Sequence, residues 1–111
     1  MGLQHCQPGE VLNLMTLREN LPTDATFSVA RTDSMEVLRK FLPKGKTVPT
    51  HHAPGEITVQ CLHGRISFLV GTERRDLTPG DWLFLLPKQE HSLEAHEDSV
   101  VLVSMWRRPS Q

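Results

Sequence analysis

The segment THHAPGEITVQCLHG, residues 50–64, concentrates side chains that can bind metals or polar ligands. His51, His52 and Glu56 stand within six residues of one another, and His91 follows beyond a Pro-Gly turn. Imidazole nitrogens and carboxylate oxygens are common protein ligands of divalent transition metals. The same groups also serve as the few polar contacts of an otherwise apolar ligand pocket. The segment therefore indicates either a metal site or a pocket with polar directing groups.

The two-residue period of a β-strand decides which of these side chains can meet. In the run EITVQCLH, the apolar Ile, Val and Cys share one face, whereas Glu56 and Gln60 lie on the other. The same alternation around His51 and His91 turns His52 away from them. The predicted ligand pocket is lined by His51, Ala53, Ile57, Val59, Cys61, His91 and Leu93.

Short apolar runs separated by proline and glycine must position these side chains. Runs rich in Val, Ile, Leu, Phe and Thr alternate with proline and glycine from residue 43 to residue 87. That spacing is typical of many short strands, hence of an all-β sandwich or barrel. The predicted strands span residues 27–31, 35–42, 47–52, 56–63, 65–71, 73–77, 82–86, 91–96 and 99–106.

Three turn sequences join predicted strands. In LHGRI, a His63-Gly64 pair between two apolar runs predicts a tight two-residue hairpin. In LTPGDW, the pair Pro79-Gly80 predicts a type II turn, because proline fixes the first φ and glycine accepts a positive second φ. The run LPKGK predicts another turn after the second strand.

The composition is that of a soluble, globular chain. The sequence has 111 residues, of which 38% are hydrophobic and 23% charged, and a formal net charge of −1. This length suits one domain, and the charge favours neither nucleic acid nor an anionic membrane as partner. No signal peptide is visible at the N-terminus, and apolar runs such as WLFLL are too short to cross a bilayer. We therefore expect a cytoplasmic protein.

The cysteines and the strand patterns lead to two further predictions, one on the thiols and one on the oligomeric state. Two cysteines do not make a disulfide scaffold, so Cys6 and Cys61 are expected to be free thiols. A catalytic Cys/His pair that uses Cys61 stays open as an alternative. The runs DWLFLLP and SVVLVSMW are apolar on both faces, which favours one face in the core and the other in a homodimer interface.

The spacing of several residues resembles the first motif of the cupin superfamily, small β-barrels of jelly-roll type. That motif runs glycine, five residues, His-x-His, three or four residues, glutamate, six residues, glycine. Gly45, His51 and Gly64 stand at the matching positions of this chain. Ala53 and Ile57 stand where the family places its second histidine and its glutamate.

A second stretch resembles the family's other motif, in which a glycine leads through a hydrophobic strand to a proline and a histidine. Gly80 opens the run GDWLFLLPKQEH, and His91 stands eleven residues on. Pro87 comes one place later than is usual, and the glycine that follows it in the family is absent. The longer runs HHAPGEITVQCLHG and EHSLEAHEDS resemble a subgroup of these proteins, many of which are bacterial.

The resemblance spans about residues 35–106 and implies an all-β fold, the cupin-type double-stranded β-helix or jelly-roll barrel. The expected barrel domain covers residues 26–111 and follows an N-terminal arm, residues 1–25, that could pack on the partner subunit. Within this arm, the run EVLNLMTLREN has a weak helical pattern and could equally be extended.

The resemblance also implies a metal centre that has lost ligands. The family's usual site of three histidines and a carboxylate suits Fe, Mn, Ni or Zn. Only His51 and His91 of that set remain, and two imidazoles alone hold a divalent ion weakly. His52, Glu56 and Gln60 are possible extra ligands, and each would need a departure from regular strand alternation.

Three functions are compatible with this pattern. In the first, the barrel binds a small organic molecule, with His51 and His91 as its polar contacts. In the second, the chain is a metal-dependent enzyme of the dioxygenase or isomerase type with an unplaced third ligand, or a metal-free acid/base enzyme. In the third, it is a regulatory or interaction protein that acts through its dimer surface. We predict the first, because an apolar pocket with few directing groups is typical of small-molecule sites.

Overall fold

Nine β-strands form the body of the molecule. The computed structural model describes residues 5–15 and 26–107. The strands are β1 Thr26–Arg31, β2 Met35–Leu42, β3 Thr47–His51, β4 Ile57–His63, β5 Ile66–Val70, β6 Glu73–Leu77, β7 Trp82–Leu85, β8 His91–Ala95 and β9 Ser99–Trp106. All nine predicted strands are confirmed, and their ends differ from the prediction by at most one residue. In these two ranges, no helix is long and apolar enough to cross a membrane.

The strands form two antiparallel sheets. The five-stranded sheet has the order β1-β2-β9-β4-β7, and the four-stranded sheet has the order β3-β8-β5-β6. Most neighbouring strands come from distant parts of the chain, as where β9 lies between β2 and β4. Closing the chain into two such sheets is the jelly-roll solution to exposed strand edges. The predicted all-β fold class, a jelly-roll barrel, is confirmed.

The hydrophobic core lies between the two sheets and follows the alternation of the sequence. In β4, the buried positions Ile57, Val59 and Cys61 alternate with half-buried ones. Ile66 and Phe68 of β5 are buried against them from the other sheet. Burying a side chain of this size stabilises the fold by about 1.5–3 kcal/mol. The core therefore decides which face of each strand turns inward.

Two of the three predicted turns are confirmed. Gly80 has a φ of 95°, and the amide of Asp81 donates to the carbonyl of Thr78 at 2.9 Å, as a type II turn requires. The amide of Lys46 donates to the carbonyl of Pro43 at 2.9 Å and closes the turn between β2 and β3.

The prediction of a hairpin at His63-Gly64 is wrong. β4 pairs with β7 and β9, whereas β5 pairs with β6 and β8, so this turn carries the chain from one sheet to the other. Gly64 has a φ of 85°, and a Cβ there would collide with the Ser99 hydroxyl and the Asp98 carbonyl. Here a glycine between two apolar runs lies where the chain crosses from one sheet to the other. The local sequence of such a crossing is the same as that of a hairpin turn.

The N-terminal segment packs against the five-stranded sheet of its own chain. The amide of Cys6 donates to the carbonyl of Val29 at 2.7 Å, and the Arg39 guanidinium donates to the carbonyl of Leu14 at 2.9 Å. Residues 10–15 contain no helix, and the rest of the helical alternative lies outside the described residues. The boundary at residue 25 and the packing of the arm on a partner stay predictions.

Candidate functional site

A cavity of about 270 Å³ lies between the two sheets. Both sheets and the loop after β3 contribute to its wall, and the exposed His51 and His52 mark the place where it reaches the surface. The lining residues are Lys40, Leu42, Val48, His51, His52, Ala53, Pro54, Ile57, Val59, His91, Leu93, Val101, Val103 and Met105. The wall is thus mostly apolar, with four side chains that can form hydrogen bonds.

A bulge in β3 turns His51 toward the cavity. Val48 pairs with Leu93 and His51 pairs with His91, so two residues of β3 oppose a single residue of β8 between these pairs. In a regular strand, Val48 and His51 would face opposite sides. Pro49 stands at the irregularity, and proline has no amide to give to the ladder. The bulge places both side chains on the inner face.

His51 and His91 form a close pair. Their ring centroids are 4.2 Å apart, and the rings meet edge to face at 62°. His91 is only 3% exposed, whereas His51 is exposed, so the pair joins the interior of the cavity to its mouth. Phe68 supports His91 from within the core, with ring centroids 5.9 Å apart.

Backbone carbonyls fix the orientation of both rings. Nδ1 of His51 lies 2.9 Å from the carbonyl oxygen of Pro49, and Nδ1 of His91 lies 3.0 Å from that of Gln89. A carbonyl oxygen can only accept, so each Nδ1 carries a hydrogen. Each neutral ring therefore presents Nε2 with a free lone pair, the usual state of a histidine that accepts a hydrogen bond or binds a metal.

The electrostatics of the site favour a neutral His91. Burial lowers the pKa of His91 below its ordinary value of 6.5, and the nearby imidazoles of His51 and His52 lower it further. The hydrogen bond to Gln89 opposes this shift. At neutral pH the buried ring is therefore uncharged and acts as an acceptor at Nε2.

The structure brings six of the seven predicted pocket residues to the cavity wall, and Cys61 is the exception. Cys61 is fully buried in the core, and its thiol points to the carbonyl of His63 at 3.5 Å. Burial raises the pKa of this thiol. A raised pKa is the opposite of what an activated nucleophile needs, so the geometry gives no support to a catalytic Cys/His pair.

Of the three possible extra metal ligands, only His52 lines the cavity. The prediction that alternation turns His52 away from His51 and His91 is therefore wrong, because β3 ends at His51 and alternation does not apply to His52. β4 is regular from Ile57 to Cys61, so no bulge there re-aims Gln60, and Glu56 is not among the residues that line the cavity. Gln60 pairs with Trp82 and Leu102 on the outer face of the five-stranded sheet. Within residues 5–15 and 26–107, no group of three or more His, Cys, Asp or Glu side chains is arranged to hold a metal ion.

Lys40 is the polar residue of the wall that sequence reasoning missed. It shares the inner face of β2 with Leu42, two residues on. The alternation of β2 is blurred, because most of its residues are half-buried on both faces. The inward orientation of Lys40 is revealed by the pairing of β2 with β9, two strands that are far apart in sequence. The sequence of β2 alone does not predict this pairing.

The sequence shows which family the chain belongs to. Residues 38–106 match the model of the Cupin domain family. The chain therefore belongs to the cupin family. A comparison with curated proteins found no match.

Solved structures from several bacteria share the fold. A cupin superfamily protein of Desulfitobacterium hafniense is 17% identical, with a TM-score of 0.81 over 97% of this chain and 100% of that one. A conserved protein of unknown function from Streptococcus pyogenes is 18% identical, with a TM-score of 0.78 over 99% and 97%. The DMSP lyase DddQ of Ruegeria pomeroyi is 25% identical, with a TM-score of 0.66 over 76% and 46%. The first two likenesses show the fold alone.

Proposed function

We propose that this cupin binds a small organic molecule in the barrel cavity. The observation that carries the proposal is an apolar cavity into which two oriented histidines present open acceptor atoms. Ligand pockets typically combine an apolar wall with a few placed polar groups in this way. The volume of about 270 Å³ limits the ligand to a compact molecule.

The residues present do not fit a tightly held metal ion. His51 and His91 offer two nitrogens, but Ala53 and Ile57 stand where the family's other two ligands would be. Ile57 is buried in the wall, so it replaces a carboxylate by an apolar surface. Catalytic metal sites usually have at least three protein ligands. We therefore propose a degenerate metal centre that works as an organic binding site.

A metal-dependent enzyme is the second candidate. The fixed Nδ1–H tautomers favour it, because they leave both Nε2 atoms free as in metal-binding histidines. His52 also lines the cavity. The DMSP lyase among the structural neighbours is an enzyme of this fold. The stoichiometry of bound Fe, Mn, Ni or Zn separates this candidate from the first.

We further propose that the protein is a homodimer that pairs through the outer face of its five-stranded sheet. Trp82 and Phe84 stack there with ring centroids 6.3 Å apart, although they are 61% and 49% exposed. Trp106 on the same face is 42% exposed. Exposed apolar patches of this kind are typical of interaction surfaces. Sedimentation equilibrium should give twice the chain mass, and a monomer mass would contradict the dimer.

A cytoplasmic location stays a prediction.

Cavity-filling variants test the binding function. Val103 lines the cavity, whereas Val37 is half-buried on the opposite face of the same sheet. Val103→Phe should abolish ligand-induced thermal stabilisation by a fragment library of acids, amides, alcohols and amines. Val37→Phe, which adds the same volume outside, should keep it. Stabilisation that survives in Val103→Phe, or none in the wild type, would contradict the proposal. If Val103→Phe does not fold, Ala53→Leu at the mouth serves the same purpose.

A further inference from the structure

Lys40 lines the cavity from the five-stranded sheet, whereas His51 and His91 belong to the four-stranded sheet. On β2 it shares a face with Leu42, and it pairs with Val101 of β9. Leu42 and Val101 are core residues, so this face of β2 is the interior one. Lys40 is half-buried and lines the same cavity as His51 and His91.

The cavity wall carries a positive charge without a matching carboxylate. Among the described residues that line it, none is aspartate or glutamate. In residues 5–15 and 26–107, Lys40 also forms no ion pair. An ammonium group has three donors and no acceptor, and withdrawing its charge from water is costly without an opposite charge. An anionic group on the ligand would supply that partner.

The histidine pair favours the opposite kind of ligand group. Because both Nδ1 atoms donate to backbone carbonyls, the neutral form of either ring presents a lone pair at Nε2. A lone pair repels a carboxylate but accepts the hydrogen of a hydroxyl group. A carboxylate is therefore directed toward Lys40, and a hydroxyl group toward the histidines.

The rest of the wall sets the size and polarity of the ligand body. Apart from Lys40 and the histidines, the wall is made mostly of aliphatic side chains, Val48, Val59, Leu93, Val103 and Met105 among them. The volume of about 270 Å³ is slightly below the range of about 300–1,000 Å³ that is usual for ligand pockets. A compact apolar body of a few carbon atoms fits such a space.

We propose that the ligand is a small carboxylic acid with a compact apolar body, and that Lys40 binds its carboxylate. This inference rests on the proposed binding function and names the chemical class of its ligand. A salt bridge from Lys40 in a partly apolar cavity discriminates an acid from its neutral isostere, because only the acid supplies the opposite charge that the ammonium group needs.

Matched acid and amide pairs test the role of Lys40. The probes are isovalerate and isovaleramide, benzoate and benzamide, and mandelate and mandelamide, titrated calorimetrically at about pH 8, where histidine is neutral. The proteins are the wild type, Lys40→Met, Lys40→Arg and the control Lys46→Met. Lys46 is an exposed lysine in the turn between β2 and β3, outside the cavity wall.

The wild type and Lys46→Met should bind the acid of the best pair at least about tenfold more tightly than its amide. Lys40→Met should reduce this ratio to near one, and Lys40→Arg should restore part of it. Lys40→Gln replaces Lys40→Met if the latter does not fold.

Each contradicting outcome identifies what has failed. Equal binding of acid and amide, abolished by Val103→Phe, would overturn the inference about Lys40 and leave the cavity as a binding site. An acid preference that persists in Lys40→Met would also overturn it. If no probe and no member of the fragment library binds, the proposed function fails and the inference fails with it.

Discussion

Two clusters of polar side chains, each with histidine, lie on opposite sides of the four-stranded sheet. They differ in how many of their hydrogen-bonding atoms have a partner. On the outer side, Ser67 donates to Asp76 at 2.5 Å and accepts from Nε2 of His96 at 2.6 Å. Arg74 also donates to Asp76, at 3.0 Å. On the inner side, His51 and His91 use only Nδ1, and in the described ranges neither Nε2 has a hydrogen-bond partner.

The difference shows how a site can be told from a structural contact. The outer cluster combines serine, histidine and aspartate, the residue types of a hydrolase triad. Its serine lies between the other two, with its hydrogen directed to the carboxylate, so it has no base to activate it. The hydrogen bond from Ser67, followed by that from Arg74, lowers the pKa of Asp76. The outer groups already have partners, whereas the inner pair is open to a ligand.

The change with the largest expected effect, Gly64→Ala, would disrupt both clusters together. Gly64 leads into β5, which carries Ser67 and pairs with β8, where His91 lies. A Cβ would collide with the backbone at Asp98 and force a strained φ. We expect a loss of more than about 3 kcal/mol in unfolding free energy, measured by urea denaturation. A loss below about 1 kcal/mol would show that the crossing tolerates a side chain.

The next prediction breaks the outer cluster alone. Ser67→Ala removes a buried hydroxyl with two partners and should lower the unfolding free energy by about 1–2 kcal/mol. Ligand affinity in the cavity should not change, because Ser67 faces away from it. Ser92→Ala is the control, since within the described residues the half-buried Ser92 side chain forms no hydrogen bond. Weaker binding in Ser67→Ala alone would show that the outer cluster takes part in the site.

The smallest expected effect is a pH dependence that belongs to the inner pair. Burial lowers the pKa of His91 in the folded state, so the unfolded chain takes up a proton first as the pH falls. The unfolding free energy should therefore decrease as the pH falls from about 6.5 through the lower pKa of the folded state. His91→Gln should flatten this decrease, whereas His63→Gln, an exposed position, should not. An unchanged profile in His91→Gln would contradict a buried neutral ring.

Local patterns predicted the strands well because short apolar runs and Pro/Gly turns act over a few residues. These local patterns do not predict which strands pair when the strands are far apart in the sequence. Gly64 shows this, since the same dipeptide suits a hairpin and a crossing between sheets. Lys40 shows it again, because only its pairing with Val101 reveals that it faces inward.

The candidate site was predicted in part for a related reason. Alternation identifies the face of a side chain but not its depth, so Cys61 shares a face with Ile57 and Val59 yet lies in the core. Alternation also fails at a bulge. The motif resemblance pointed to His51. Its inward orientation depends on the bulge between Val48 and His51, which the sequence does not specify.

The content of bound metal tests most directly the claim that the cavity serves an organic ligand without a tightly held ion. Untagged protein, purified without chelators, would be measured by elemental mass spectrometry beside the His51→Ala/His91→Ala variant. The measurement would be repeated after each of Fe, Mn, Ni and Zn is added back and the excess removed. We predict far less than one ion per chain in both proteins, since two imidazoles hold a divalent ion weakly. Close to one ion per wild-type chain, lost in the double variant, would contradict the account and favour a metalloenzyme.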